Sequence, residues 1–557
     1  MNHRTYILSL VIAVIFLTTA FISNKKFNTV YKTKTELLVF NAKIYTLSPN
    51  NNVADAMVIY KGKIVFVGKE DSARAHYEAV KEINLNGKFV YPGFIDAHCH
   101  FYGYGQSLGR INLVGTKSWN DVISITEQYA VSHPGGWVQG RGWDQNDWEV
   151  KQFPTNESLN GICSGRPIFL KRIDGHAAIA NDAALKLAGF TVATKISGGQ
   201  LIIKNGKLTG VLIDNAMDSL EKIIPKPSPA EIAASLLSAQ DKCFAVGLTT
   251  VSDAGLEKEV IDVIDSLQKT GELKMRIYAM LTDNDANRNY YYKNGPYKTD
   301  RLDVRAFKFY ADGALGSRGA LLKKPYTDEQ GSYGLLLKPT EYFERKFAEC
   351  AANGFQVCTH CIGDSANKLV LDLYGKILGG LNMKRWRIEH AQVVSPEDMK
   401  LFSKYSVIPS IQPCFATSDM PWAQQRLGDK RMKGAYAWKS LLVAANIVAC
   451  GSDFPVEEIN PLYGFYAAIT RMNRNGEPPF GFMPSEILTR QQALYGMTTW
   501  AAYSNFEENE KGSLVAGKFA DFTVLEDDIM TMPDIHTWMS KILMTVVNGE
   551  VVYQSNN

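Results

Sequence analysis

Two histidines at alternate positions end an apolar run in the segment Pro92-Gly93-Phe94-Ile95-Asp96-Ala97-His98-Cys99-His100. Residues i and i+2 of a strand face the same side, so His98 and His100 project together and can share a borderline cation such as Zn²⁺. Alone, such a pair is moderate evidence, the weaker alternative being two histidines simply hydrogen-bonded at a strand end. Three more apolar runs finish comparably: Val357-Cys358-Thr359-His360, Arg387-Ile388-Glu389-His390 and Ala449-Cys450-Gly451-Ser452-Asp453. Four of the nine histidines thus fall at strand ends, and an aspartate ends another run. Gathered at one rim, these side chains make a nitrogen-rich metal site with one carboxylate. A fifth run, Phe307-Lys308-Phe309-Tyr310, sets a lysine between aromatics. Unless it snorkels to solvent, a lysine inside such a strand is paired, deprotonated or modified. A carbamate formed from lysine and carbon dioxide would be anionic and could bridge two cations.

The elements that must position these residues follow a βα rhythm. Apolar, β-branched runs lie at 89–97, 247–252, 274–281, 304–310, 355–359, 386–389, 407–412 and 446–450, with helical patterns such as 229–246, 342–353, 365–378 and 395–405 between them. Eight β-then-α units predict an α/β fold, a (β/α)8 barrel (residues 89–103 and 229–505) with its site at the C-terminal strand ends. Residues 36–88 and 506–557 carry short strands around Lys61-Gly62-Lys63 and Asn548-Gly549-Glu550. Neither set suffices alone, which predicts one small β domain assembled from both termini. Residues 104–228 break the rhythm and read as an insertion after the first barrel strand, covering the barrel mouth. Within it, Asn205-Gly206 predicts a hairpin.

Composition narrows the function classes. The chain has 557 residues, 46% hydrophobic and 21% charged, with a net charge of +3, too small to point to nucleic acid. Eight scattered cysteines (99, 163, 243, 350, 358, 361, 414 and 450) do not make a disulfide scaffold. Residues 1–23, with His3 and Arg4 before an apolar run, read as a signal peptide or membrane anchor, placing the protein in the cell envelope or periplasm. Glycines 313 and 316 lack a P-loop lysine, and no G-x-S-x-G elbow occurs.

The segments PGFIDAHCH, KFYADGALGSRGA, CTHCIGD, RIEHAQ and GSDFPVE, with GRGWDQNDW, LKRIDGHAAIAN and LVAGKFADFTVLE, resemble the amidohydrolase superfamily in its family 3 branch. The resemblance spans about Glu36 to Val552. It implies a distorted TIM barrel with a composite β-sandwich, and a binuclear site, usually zinc, built from His98, His100, carboxylated Lys308, His360, His390 and Asp453. His98 and His100 would hold the more buried ion and His360 and His390 the more exposed one; an unmodified Lys308 would leave a mononuclear site. It also matches His176 to a substrate-pocket histidine that could donate to a developing oxyanion, the alternative being that His176 orders its own loop beside Asp174.

The residues around these motifs carry subsidiary expectations. Trp143, Asp144 and Trp148 could wall the pocket, although Trp-rich turns are more often packing. Arg318 could bind an anionic substrate group or pair with Asp312, itself expected to orient a neighbour. His76, His133 and His536 fit no constellation. The expected function is hydrolysis of a non-peptide C–N bond in a small-molecule amide, cyclic amide or carbamate. A bound cation would activate water and Asp453 would carry the proton to the leaving nitrogen. The alternatives are a deaminase, esterase or isomerase on the same scaffold, or a catalytically inactive metal-bearing envelope protein. A homo-dimer is compatible with any of these.

Overall fold

The computed structural model describes residues 32–50, 53–162 and 165–556. The proposed N-terminal signal or anchor, His3 and Cys163 lie outside the described residues.

Eight parallel strands follow one another around the central sheet in chain order. They are β1 (Phe94–Cys99), β2 (Leu248–Leu256), β3 (Arg276–Thr282), β4 (Leu302–Tyr310), β5 (Gln356–Cys361), β6 (Arg387–His390), β7 (Ile408–Ile411) and β8 (Ala449–Cys450). Helices cover the outside, so the strands are buried on both faces and read as continuous apolar runs. The helix Pro229–Ala245 that leads into β2 starts with Ser228 and Glu231 in a capping box, which fixes where the βα rhythm resumes after the insertion. No strand ladder joins β8 to β1. Instead the chain beyond β8 closes the ring: Asp453 N–H donates to the His98 carbonyl and His100 N–H to the Phe454 carbonyl, each at 2.8 Å.

Two strands differ from the sequence reading. The run 89–97 is two strands in two sheets: Phe89–Pro92 joins the terminal β domain, and β1 begins only after Gly93. A Cβ at Gly93 would stand 2.2 Å from Thr249 Oγ1, so the chain passes between the sheets where a side chain cannot fit. β8 is only two residues long, and Asn446, at the start of the expected run, instead takes φ +67° and ends the preceding helix.

The termini meet through Phe89–Pro92, which is antiparallel to Phe522–Leu525 and parallel to Thr33–Tyr45. This produces one mixed eight-stranded sheet. Its hairpins turn at Lys61-Gly62 and Asn548-Gly549, all with positive φ, the backbone that two-residue turns between right-twisted strands require. The insertion folds as a separate six-stranded sheet with its own apolar core, including the hairpin at Asn205-Gly206.

Candidate metal centre

The strand ends converge. One ligand atom from each of His98, His390 and Asp453 lies within 4.8 Å of the other two, the only such group of three among the described residues. His100 Nε2 is 3.1 Å from Asp453 Oδ1, and Lys308 Nζ is 3.4 Å from His98 Nε2. His360 joins as a ring neighbour, its centroid 4.6 Å from His390 and 4.9 Å from His176. His360 Nε2 lies 3.7 Å from Asp312 without a hydrogen bond. His98 Nε2 also approaches Asp453 Oδ1, at 3.5 Å. His98 groups with His390, and His100 has the most open side chain, 31% exposed against 4% for His360.

Hydrogen bonding fixes the ring tautomers. His98 Nδ1–H donates to Glu389 Oε2 at 2.5 Å and His390 Nδ1–H to Gln412 Oε1 at 2.8 Å, leaving each Nε2 as a lone pair. Burial lowers the pKa of both rings, to about 4 for His98 and about 3 for His390, so both are neutral ligands. Burial also pushes the Lys308 amine below its ordinary value. Desolvation raises the Asp453 carboxyl, but the close approach of His100 and of the other histidines around it outweighs this and keeps it ionised. Asp453 Oδ1 is buried with no hydrogen-bond partner. An orphaned carboxylate oxygen facing two imidazole lone pairs is a donor set that fits a divalent cation.

A second layer of buried polar groups holds this set. Glu389 is fully buried between His98 and Arg387, whose Nη2 donates at 3.0 Å. Arg387 Nε lies 2.7 Å from Glu389 Oε1 as an ion pair, although its N–H is not aimed at the oxygen. Asp96 accepts from Ser452 Oγ at 2.6 Å and from His98 N–H at 3.1 Å, tying β1 to the turn that carries Asp453. His390 and Asp453 both have positive φ, +72° and +61°. Such backbone is costly for a non-glycine residue, and here it rotates both side chains toward the centre.

The family model for the amidohydrolase family matches residues 81–553. The chain belongs to the amidohydrolase family. YtcJ of Bacillus subtilis (strain 168) is 31% identical over 525 residues, covering 92% of this chain and 98% of the relative. The N-substituted formamide deformylase of Arthrobacter pascens is 24% identical, covering 93% and 98%. Among solved structures, an uncharacterized metal-dependent hydrolase from Pyrococcus horikoshii OT3 superposes with a TM-score of 0.75 at 27% identity, covering 90% of this chain and 99% of that one.

Two cavities flank the centre of this amidohydrolase. The wide one, about 560 Å³, is lined by His100, Lys308, Tyr310 and Arg141. The narrow one, about 190 Å³, is lined by His360, His390, Asp453, Asp144 and Trp422, and His176 borders both. Phe415, on the narrow side, stacks parallel to the His390 ring.

Of the residues expected to meet substrate, His176 and Asp144 reach these cavities. His176 is held by Asp214, Nδ1 to Oδ1 at 2.7 Å, and only its backbone N–H bonds to Asp174. Desolvation lowers the His176 pKa, but Asp214, Asp174 and Asp312 more than reverse this and lift it to about 9. Trp143 does not wall the pocket. Gly142, at φ +113°, breaks the strand register and turns the indole into the insertion core, where Nε1–H donates to the Leu170 carbonyl at 2.8 Å. Trp148 packs beside it at 6.1 Å. Arg318 lines neither of these two cavities and does not pair with Asp312; it pairs with Asp328 at 3.0 Å and Glu329 at 3.1 Å. Asp312 accepts backbone N–H bonds from Leu321, Ile362 and Gly363, fixing the turn after His360. Glu389, Gln412 and Asp214, which orient three of the histidines, were not singled out by the sequence. Glu389 adjoins His390 in the motif, but its partner is His98, 291 residues away.

Proposed function

We propose that this chain hydrolyses the C–N bond of small-molecule, non-peptide amides, with His98, His390 and Asp453 holding a divalent cation. The observation that carries this reading is the orphaned Asp453 oxygen facing two neutral imidazoles beside two cavities. A cation bound there lowers the pKa of water toward neutrality and polarises the scissile carbonyl. Asp453 takes the proton from the attacking water at its carboxylate and returns it to the leaving nitrogen. His176, kept protonated by Asp214, presents Nε2–H to the developing oxyanion from the border of the two cavities. The likeness to a deformylase of substituted formamides supports an open-chain amide over a ring.

We further propose zinc as the cation. A second ion would be accommodated if Lys308 is carboxylated: its amine, made less basic by burial, would add in its neutral form to carbon dioxide, releasing a proton and leaving an anionic carbamate near His98. The apolar segment 1–23 is proposed to export the protein or anchor it in the envelope. N-terminal sequencing of protein from fractionated cells tests this. Metal analysis of purified protein, joined to an amide panel with and without chelator, tests the function. Stoichiometric zinc with chelator-sensitive release of amine is expected; metal-replete protein that cleaves no amide refutes it. Incorporation of ¹³C-bicarbonate into Lys308 tests the carbamate.

A further inference from the structure

The face of the insertion sheet that looks into the wide cavity carries three cations, two of which have no carboxylate bonded to them. In the sheet register Arg141 stands between Asn112 and Lys171, and Ile111 lies opposite Gly140. One step earlier Arg110 falls opposite Gln139, so alternation puts Arg110, Arg141 and Lys171 on one face. The other face, with Ile111, Val138 and Leu170, is apolar core. All three cations line the cavity. Lys171 is neutralised by Glu221 at 2.6 Å. Arg141 donates instead to the backbone carbonyls of Pro455 and Ile173, which hold its guanidinium in place; Asp453 and Asp174 attract it from nearby, but neither is bonded to it. The Arg110 guanidinium makes no hydrogen bond or ion pair among the described residues; Glu221 attracts it, but is bonded to Lys171. Asp218 also lines the cavity and is bonded to neither arginine.

We propose that Arg110 and Arg141 form an anion-binding wall, so that the substrates are amides bearing a carboxylate on the arm that occupies the wide cavity. This rests on the hydrolase reading above. A guanidinium is the side chain whose donor geometry best matches a carboxylate, and one already fixed by carbonyls loses little freedom on binding. The geometry also sets a length. Arg141 bonds two residues beyond Asp453, whereas Arg110 follows the eight-residue helix Phe101–Leu108 that starts beside His100. At 1.5 Å per residue that helix spans roughly 12 Å, so the carboxylate lies within about that distance of the scissile bond.

The test compares matched amides that differ only in the charge. N-formyl-6-aminohexanoate against N-formylhexylamine probes the amine arm, and adipic acid mono(methylamide) against N-methylhexanamide probes the acyl arm. The metal-loaded enzyme is expected to prefer the carboxylate member of at least one pair by tenfold or more in kcat/KM. R110Q and R141K are each expected to collapse that ratio. The Arg110 side chain supports no other bond, so R110Q decides the matter if R141K folds poorly. Calorimetric binding of adipate and of neutral adipamide gives a readout independent of turnover. Should adipate bind tenfold tighter than adipamide and lose this in R110Q while no amide is cleaved, the wall stands and the hydrolase reading fails. Cleavage of both members of each pair within a factor of two, with ratios unmoved in both variants, overturns the wall and leaves the hydrolase reading intact.

Discussion

Replacing Glu389 with glutamine keeps the shape of the side chain and removes the charge that links the barrel interior to the metal ligands. Glu389 is fully buried, accepts from His98 Nδ1–H at 2.5 Å and is paired with Arg387. Two costs follow, and they fall on different measurements. Stability falls because Arg387 keeps its charge but loses its counter-ion; breaking a buried pair typically costs ~3–5 kcal/mol. Arg387 retains Ser410 Oγ at 2.9 Å and Asn505 Oδ1 at 3.1 Å, which argues for the lower end of that range, about 3 kcal/mol. Metal affinity falls because the amide oxygen is a weaker acceptor for His98 Nδ1–H and leaves Nε2 less basic. Loss of a group supporting a metal-bound histidine typically costs 10–100-fold in affinity, or about 1.4–2.7 kcal/mol.

The assay is a chelator competition for zinc affinity, beside denaturant unfolding of the metal-free protein. The pH dependence adds a check. Desolvation raises the Glu389 carboxyl, but Arg387 and His98 hold it well below the ordinary range of 4.5. A depressed carboxyl contributes stability that is present above its unfolded pKa and lost only as pH falls through the folded one. The stability difference between wild type and E389Q should therefore be flat from about pH 5 to 8. Zinc affinity within twofold of wild type refutes the idea that Glu389 tunes His98, and a stability loss under about 1 kcal/mol refutes the buried pair as a structural link.

Other substitutions separate chemistry from architecture. D453N should lower kcat by about 10²–10⁴-fold, the usual worth of a positioned proton carrier, in protein kept loaded by excess zinc, because Asn retains an oxygen for the cation but not the charge; retained turnover rejects the assigned role. His176 has a raised pKa of about 9, so its contribution to stability is complete below the unfolded value near 6.5 and is lost as pH rises through 9. The stability deficit of H176N should then shrink between those limits by an amount on the order of 3 kcal/mol, and a pH-invariant deficit in denaturant unfolding would contradict the His176–Asp214 link. W143F strips the donor from the buried Leu170 carbonyl and should cost about 1–3 kcal/mol in unfolding while KM for a cleaved amide stays unchanged; a large KM effect would return Trp143 to the pocket wall.

The barrel was legible because strands buried on both faces must read as apolar runs, and a lysine, histidine or aspartate at their ends stands out against that background. The histidine pair of β1 obeys simple alternation. His390 does not: in β6 alternation groups Arg387 with Glu389 and puts His390 on the other face, and its φ of +72° brings it back toward the centre. No spacing rule contains that rotation, nor the one at Asp453. The partners of the histidines were hidden for another reason. Glu389 serves a histidine five strands away around the sheet, and Asp214 meets His176 only because the insertion strands Ala177–Ala180 and Lys207–Asp214 pair. Trp143 shows the opposite failure, in which a chemically suggestive residue is turned into a core by the glycine before it.

These contacts bear on what the insertion is for. The barrel supplies the ligands, and its interior network of Arg387, Glu389 and Asp96 holds them from below. The turn carrying Asp453 must also be held from above, because Asp453 sits in unfavourable backbone with an unpartnered oxygen. Arg141 provides that support from the insertion by bonding the Pro455 carbonyl, and its second bond, to Ile173, fixes the loop that presents His176. One guanidinium thus links the turn carrying Asp453 to the loop carrying His176. The insertion is therefore a structural half of the centre, and changes on its cavity face should act on the chemistry at the barrel rim as directly as changes in the barrel strands themselves.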